Sequence, residues 1–125
     1  MNIKEKTSIK QVSRLLKEIS APSRIKILLA IGSEEVCVCH LEAGLGMRQA
    51  YLSQHLMALR QAGILITHRD GRFINYRLAN PGILEIIKAA ADSAGITLEE
   101  REILSSKKEC TCPKCRNCEG TELPS

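Results

Sequence analysis

Two helical segments joined by a glycine-containing turn and followed at once by a β-hairpin most strongly limit how this chain can fold. Apolar residues recur at helical spacing from about 48 to 62, directly after the turn at residues 44 to 46. Residues 64 to 78 then change to short β-branched and aromatic runs on either side of Asp70-Gly71, a strong hairpin signal. The pattern predicts a helix-turn-helix with a hairpin beside it.

The rest of the chain is predicted to be helical around this unit. Apolar periodicity indicates helices at about residues 8 to 20, 21 to 32, 38 to 43 and 82 to 94, and a capping box at residues 97 to 100 indicates a brief final helix to about residue 105. Ser20 is expected to cap the second of these helices ahead of Pro22, since Ser is a good N-cap and Pro is tolerated in a first turn. Aromatic residues make up only 2% of the 125 residues, so the core is built from aliphatic side chains.

The expected fold class is therefore mainly α with a β-hairpin wing, a winged helix-turn-helix. One domain is assigned to residues 1 to 106. Residues 107 to 125 form a polar, cysteine-rich tail that we expect to be flexible and disordered without a ligand.

Positive charge is concentrated in the segment that carries the second helix of the helix-turn-helix and the hairpin. Residues 48 to 77 contain five arginines and one acid, a surplus equal to the net charge of +4 of the whole chain. A second surplus lies in residues 1 to 17. Such surfaces suit a polyanionic partner.

No signal peptide or membrane span is apparent, so we expect a cytoplasmic protein with no membrane partner.

The helix of residues 48 to 62 has the chemistry of a DNA-reading element. Leu52, Leu56 and Leu59 form a stripe that packs inward, and polar side chains fall largely away from it. Gln and Arg can bond base edges in the major groove, while Ser, His and Tyr can reach bases or phosphates. An ordinary solvated face is the alternative for any single residue. The candidate DNA-binding residues are Arg48, Gln49, Tyr51, Ser53, Gln54, His55 and Arg60, with Arg69, Arg72 and Asn75 at the wing.

Cys37 and Cys39 stand just before the reading helix, at the start of the helix predicted from residue 38. In a reducing compartment cysteines are thiols or metal ligands rather than a disulfide framework. Side chains at i and i+2 point about 200° apart on a regular helix. Chelation by this pair is therefore expected to distort or fray the helix start, and the strain to reach the reading helix. Two buried structural thiols are the alternative.

Two thiolates do not saturate a soft ion, because arsenite takes three sulfurs and cadmium, lead or zinc takes three or four ligands. The tail supplies Cys110, Cys112, Cys115 and Cys118. One or two of them are expected to complete the site, within one subunit or across a dimer. A self-contained tail site and a scavenging or redox tail are the alternatives. His40 could add a nitrogen ligand or be a surface or hydrogen-bonded residue.

Several segments in the right order resemble the ArsR/SmtB family of bacterial metal-responsive repressors. They are Ala21-Pro22-Ser23-Arg24-Ile25-Lys26-Ile27-Leu28, Val36-Cys37-Val38-Cys39-His40-Leu41, Leu52-Ser53-Gln54-His55-Leu56, Leu59-Arg60-Gln61-Ala62-Gly63-Ile64-Leu65 and Asp70-Gly71-Arg72. The resemblance implies that DNA contacts lie on the helix of residues 48 to 62. It also implies that Cys-Val-Cys is the inducer site of arsenic, cadmium and lead sensors, and that the helices at 8 to 20 and 82 to 94 form a homodimer interface.

The chain departs from the family pattern at two places. His40 stands where the family commonly has Asp. The other family metal site uses Asp and His on the last long helix, and residues 82 to 94 hold Asp92 and no His, so that site is expected to be absent.

The sequence thus predicts a homodimeric repressor that binds double-stranded operator DNA and is released by a thiophilic ion, namely arsenite, cadmium or lead, with zinc possible. A thiol-redox-responsive repressor is one alternative, and a zinc- or thiol-binding interaction module without DNA regulation is another. An enzyme is not expected, because no set of nucleophile, base and orienting residue emerges.

Overall fold

The computed structural model describes residues 3 to 98, with side chains described from residue 7 onward. In chain order the elements are α1 (Ile3–Ser20), α2 (Pro22–Ile31), β1 (Val36–Cys37), α3 (Val38–Leu45), α4 (Gln49–Gln61), β2 (Leu65–Asp70), β3 (Phe73–Leu78) and α5 (Gly82–Ser93). This is the winged helix-turn-helix that the sequence predicts, with α3 and α4 as the two helices and β2 and β3 as the wing. The cysteine-rich tail and most of the helix predicted at 97 to 105 lie outside the described residues. Within the described part, no helix is long and apolar enough to cross a membrane.

The core forms around α2, whose second half is buried on nearly every side. Residues 27 to 31 of this helix are all buried, and α3, α5 and β3 pack against the helix. From α4, Leu52, Leu56 and Leu59 point into the same core and are at most 1% exposed. The predicted stripe of leucines therefore fixes which face of α4 is left for solvent.

The sheet contains one strand that the sequence did not predict. β3 is its central strand and pairs antiparallel with β2 on one side and with the two-residue β1 on the other. Two residues are too few to show the alternation by which strands are found in a sequence. Because β1 ends at Cys37, which lies opposite Asn75, the wing is joined directly to the start of α3.

Ser20 does not cap α2, contrary to the prediction. It is the last residue of α1, and its hydroxyl donates to the Lys17 carbonyl at 3.1 Å. The N-cap is Ala21, which makes no side-chain capping bond, while Pro22 occupies the first turn as predicted.

Two turns differ slightly from their predicted limits. Residues 44 and 45 belong to α3, and the chain reverses at Gly46, where a φ of 66° favours glycine. In the wing, Asp70 pairs with Phe73, so the two-residue turn is Gly71-Arg72.

Candidate DNA interface and thiol site

The outer face of α4 presents most of the predicted reading residues to solvent. Gln49, Gln54 and Arg60 are exposed, as is Arg48 at the helix N-cap, whereas Ser53 is half-buried. None of them belongs to the leucine stripe that packs into the core. This part of the predicted set is therefore at least partly accessible on the outside of α4, and its contacts to DNA remain a prediction.

Hydrogen bonds from α2 hold α4 from behind. The Ser23 and Tyr51 hydroxyls lie 2.7 Å apart, and Arg24 Nε donates to His55 Nδ1 at 3.0 Å. Arg24 is itself fixed by α1, because its Nη1 donates to the Glu18 carbonyl oxygen at 2.9 Å and to the Glu18 carboxylate at 2.8 Å. This chain of bonds sets the orientation of the reading helix relative to α1 and α2.

Tyr51 and His55 also contact each other edge to face, with ring centroids 4.7 Å apart. Partial burial, and then the positive charge of Arg24, lower the pKa of His55 below its ordinary value of 6.5. His55 is therefore neutral at physiological pH, as its acceptance of a bond from Arg24 requires. His55 is half-buried, and its Nδ1 accepts the hydrogen bond from Arg24 of α2. Tyr51, in contrast, is 46% exposed.

The wing exposes two of its three predicted DNA-binding residues. Arg69 and Arg72 are exposed near the hairpin tip. Asn75 is only 2% exposed and lies between β1 and β2, so the prediction that its side chain contacts DNA is wrong. Counting charged and polar residues in the hairpin could not show this, because the strand that covers Asn75 was itself not predicted.

The two thiols are already side by side. Cys37 is the N-cap of α3 and has extended backbone angles, φ −80° and ψ 157°, so it does not lie on the helix. Its Sγ is 3.1 Å from the Sγ of Cys39 and accepts a hydrogen bond from the backbone N–H of His40 at 3.2 Å. The premise that both thiols lie on a regular helix is therefore wrong, because Cys37 precedes α3 in an extended conformation, and the effect of chelation on the helix start stays a prediction.

A soft ion fits this pair with little movement. Two sulfurs bound tetrahedrally at roughly 2.3 Å from zinc are about 3.8 Å apart, which is less than 1 Å beyond the observed separation. Within residues 3 to 98, however, no group of three or more His, Cys, Asp or Glu side chains could hold a metal ion. Within the described part, the pair therefore offers two candidate soft-metal ligands and no third one beside them.

His40 is buried, 5% exposed, so the interpretation of it as a surface residue is wrong. Cys37 is buried as well, and Cys39 is half-buried. The thiol pair therefore opens to solvent on the side of Cys39.

That opening leads into a groove of about 480 Å³ between the thiols, the reading helix and the wing. Its lining combines polar and charged side chains of α4 and the wing tip with apolar side chains. The lining residues are Cys37, Val38, Cys39, Glu42, Gln49, Ser53, Leu56, Met57, Arg60, Arg72, Phe73, Ile74 and Tyr76. Four of the predicted DNA-binding residues, Gln49, Ser53, Arg60 and Arg72, thus line the same groove as both thiols.

Two functional candidates were missed from the sequence. Met57 is 56% exposed on the reading face, one turn from Ser53 and from Arg60, and it lines the groove. Its place opposite the leucine stripe was a signal that could have found it, and an apolar contact there suits a thymine methyl group. Arg24 gave no such signal, since its partners lie on two other helices.

Comparison with known proteins agrees with this architecture. The family described as bacterial regulatory protein, arsR family, matches residues 21–67. A biofilm growth-associated repressor of Agrobacterium fabrum is 40% identical over 79 residues, which are 63% of this chain and 68% of that protein. An arsenic resistance transcriptional regulator of Pseudomonas putida is 40% identical over 65 residues, 51% of each chain, so the chain matches only about half of that relative's length.

Among solved structures, NolR from Sinorhizobium fredii is 27% identical with a TM-score of 0.69, and the match covers 78% of this chain and 97% of that one. The matched family and both sequence relatives are described as regulators or repressors, in agreement with the prediction that the chain is not an enzyme. By its sequence, its fold and the arrangement of its reading helix and wing, the chain belongs to the ArsR family of DNA-binding transcriptional regulators.

Proposed function

We propose that the protein is a homodimeric repressor that holds operator DNA when its thiols are unoccupied and releases it when they bind a thiophilic ion. The observation that carries this proposal is the groove, because the thiol pair and four candidate DNA-binding residues line the same space. The inducer is arsenite, cadmium or lead, with zinc as a further candidate. A regulator named for arsenic resistance among the relatives supports this class of ion.

The DNA-binding half of the proposal rests on exposed charge and on a fixed helix. Arg48 and Arg60 on the reading helix and Arg69 and Arg72 at the wing are all exposed. They can neutralise phosphates on either side of a major groove that α4 enters, and Gln49 and Gln54 can reach base edges.

The proposed coupling between ion binding and DNA release rests on the place where α4 and the wing meet. A ligand of the thiols occupies one end of the groove, next to both elements. If α4 and the wing exchange between two relative positions, a ligand that fits one of these positions better shifts the equilibrium toward that position. Because Cys37 ends β1 and precedes α3, movement of this residue acts on the sheet and on the helix-turn-helix together.

The missing ligands are assigned to the tail. We propose that one or two of Cys110, Cys112, Cys115 and Cys118 complete the site, from the same subunit or from its partner. This assignment agrees with the soft-ion preference for three or four sulfurs and with the two-ligand set within the described residues.

The dimer is proposed from the surface of α1. Ile9, Val12 and Leu16 are 54%, 57% and 46% exposed, one helical turn apart on a single face. Burying such a stripe against a second copy would remove apolar surface from water. From α5, Ile83, Leu84 and Ile87 are buried within the chain itself, so α5 contributes less free apolar surface than its sequence suggested.

Thiol oxidation is a second candidate signal. Two sulfurs 3.1 Å apart need approach by only about 1 Å to reach a disulfide bond length of roughly 2.05 Å. An oxidised pair would then replace the ion-bound pair as the releasing state.

Fluorescence anisotropy of a labelled operator distinguishes release by ion binding from release by thiol oxidation. Arsenite, cadmium, lead, zinc and peroxide are added in turn to complexes of the wild type and of Cys37→Ser. An ion that releases the wild type but not the variant supports ion gating, and release by peroxide alone supports the redox candidate. Complexes of both proteins that no addition disturbs would contradict both. Light scattering that gives a monomer at micromolar concentration would contradict the dimer.

A further inference from the structure

Asn75 is the most buried polar side chain in the described part of the chain, and it lies next to the thiol site. It is 2% exposed, and its Oδ1 is buried with no hydrogen-bond partner among the described residues. Leaving a buried polar atom without a partner costs free energy that a neighbouring apolar residue would not incur. Because no described hydrogen bond fixes this oxygen, the amide can rotate without breaking a bond on that side.

Cys37 is the neighbour that can change state. It is directly opposite Asn75 in the antiparallel pairing of β1 with β3. Residues directly opposite in such a pair share one face of the sheet, with Cβ atoms about 4.5 to 5.5 Å apart. A neutral thiol sulfur is a weak acceptor, whereas a thiolate bound to an ion carries negative charge and accepts strongly. Rotation of the amide about its Cβ–Cγ bond exchanges Oδ1 for the Nδ2 donor.

We infer that Asn75 is a positioning residue of the thiol site, whose amide donates a hydrogen bond from Nδ2 to Cys37 Sγ when this sulfur binds an ion. The inference rests on the proposed ion-binding function. Outer hydrogen bonds of this kind orient the ligand and tune its interaction with the metal.

Through β3, the bond between Asn75 and Cys37 would connect the thiol site to the candidate DNA interface. Asn75 belongs to β3, and the turn before that strand carries Arg72. The groove is lined by Cys37 and, among the described residues, not by Asn75. Asn75 therefore lies beside the site within the sheet, and a new bond to Cys37 would link the state of the sulfur to the central strand of the wing.

The test is cadmium binding by the full-length reduced protein, with the metal alone as probe. Affinity is measured by competition with a chelator, and the sulfur-to-cadmium charge-transfer band is recorded in the ultraviolet. Asn75→Leu keeps a similar side-chain volume but removes the donor. Its cadmium affinity should fall about 10- to 100-fold. Its band should move to longer wavelength, because a thiolate without the hydrogen bond gives up its electrons more readily.

His68→Gln is the matched control, since His68 is the partner of Asn75 on the other side of β3 and is exposed. It should leave both the affinity and the band unchanged. A role of Asn75 in packing alone would not shift the band. Wild-type affinity and band position in Asn75→Leu would overturn the inference.

Asn75→Ala decides the matter if Asn75→Leu does not fold, because Ala also removes the donor and introduces no larger side chain into the buried position. It should bind cadmium more weakly than the wild type, and unchanged binding would overturn the inference. If the wild type binds no cadmium, or binds it equally well as Cys37→Ser, then the proposed ion-gated function fails and takes this inference with it. Failure confined to the Asn75 variants leaves the proposed function standing.

Discussion

The reading helix and the thiol site line one groove, but they differ in how fully packing and hydrogen bonds hold them in place. The reading helix is held by a buried leucine stripe and by hydrogen bonds from α2, through Ser23 to Tyr51 and through Arg24 to His55. The thiol site lies at the junction of a two-residue strand with a short helix, beside a buried amide oxygen that has no partner in the described part.

This difference teaches where change can enter the molecule. Satisfied bonds and close packing make the position of α4 costly to alter, whereas the thiol site has groups whose interactions improve when a ligand arrives. Under the proposed function, α4 therefore stays fixed on the core, and an ion at the thiols acts by moving the wing relative to it.

The largest effect is expected from removing the packing that fixes the reading helix. Leu52 is fully buried, so Leu52→Ala should lower the free energy of unfolding by about 2 to 5 kcal/mol. Urea denaturation followed by circular dichroism measures this change. Loss of less than about 1 kcal/mol would show that α4 is not held by its core contacts, and the comparison between the two regions would fail.

A smaller effect is expected from one exposed charge of the wing. Arg72→Ala should weaken operator binding for all sequences alike and lower the slope of log affinity against log salt concentration by about 1. Anisotropy titrations at several salt concentrations measure both. Lys26→Ala is the control, since Lys26 is exposed on α2 away from the groove. An unchanged slope for Arg72→Ala would exclude a phosphate contact.

Asn75→Leu should change the free energy of unfolding in the opposite direction from Leu52→Ala. Replacing a buried polar group that lacks a partner with an apolar one of similar size should raise the free energy of unfolding by about 1 kcal/mol. The measurement is made on metal-free, reduced protein. If the variant is clearly less stable than the wild type, Asn75 has partners in the resting protein, and the thiol site is not the poorly satisfied region described above.

The smallest effect is expected from pH, through His55. Partial burial and then Arg24 lower its pKa in the folded protein, so the unfolded chain takes up a proton at higher pH than the folded one. The stability contributed by neutral His55 is complete above about pH 6.5 and is lost as the pH falls through the lowered folded value.

His55→Gln provides the comparison for this prediction, because Gln retains an acceptor for Arg24 and does not titrate. The difference in melting temperature between the wild type and His55→Gln should shift against the wild type between pH 7.5 and pH 5.5 (about 1 unit either side of the ordinary histidine pKa). A constant difference would mean that the bond from Arg24 does not hold His55 neutral.

The fold could be predicted from the sequence almost completely, because its signals are local. The leucine stripe of α4, the glycine turns and the Asp70-Gly71 hairpin each act within a few residues. The errors occur where distant segments meet. The pairing of β1 with β3 buries Asn75 and makes Cys37 extended, and no local pattern in either segment indicates that pairing.

The candidate site was predicted in its parts but not in its geometry. Cys37 and Cys39 were identified by type and spacing, yet their apposition follows from the extended N-cap, which depends on pairing with β3. The sequence places Met57 opposite the leucine stripe, but its position in the groove does not follow from α4 alone. Its exposure depends on where α4 sits relative to the rest of the fold.

The central claim is that the thiol pair and the DNA interface share one equilibrium, and reciprocal binding tests it most directly. Cadmium affinity is measured for the free protein and for the protein saturated with operator, alongside operator affinity with and without cadmium. If the sites are coupled, DNA must weaken cadmium binding by the same factor by which cadmium weakens DNA binding. We predict equal factors well above one for the wild type and factors of one for Cys37→Ser. Cadmium binding to Cys37 with the same affinity in the free and operator-bound wild type would contradict the account.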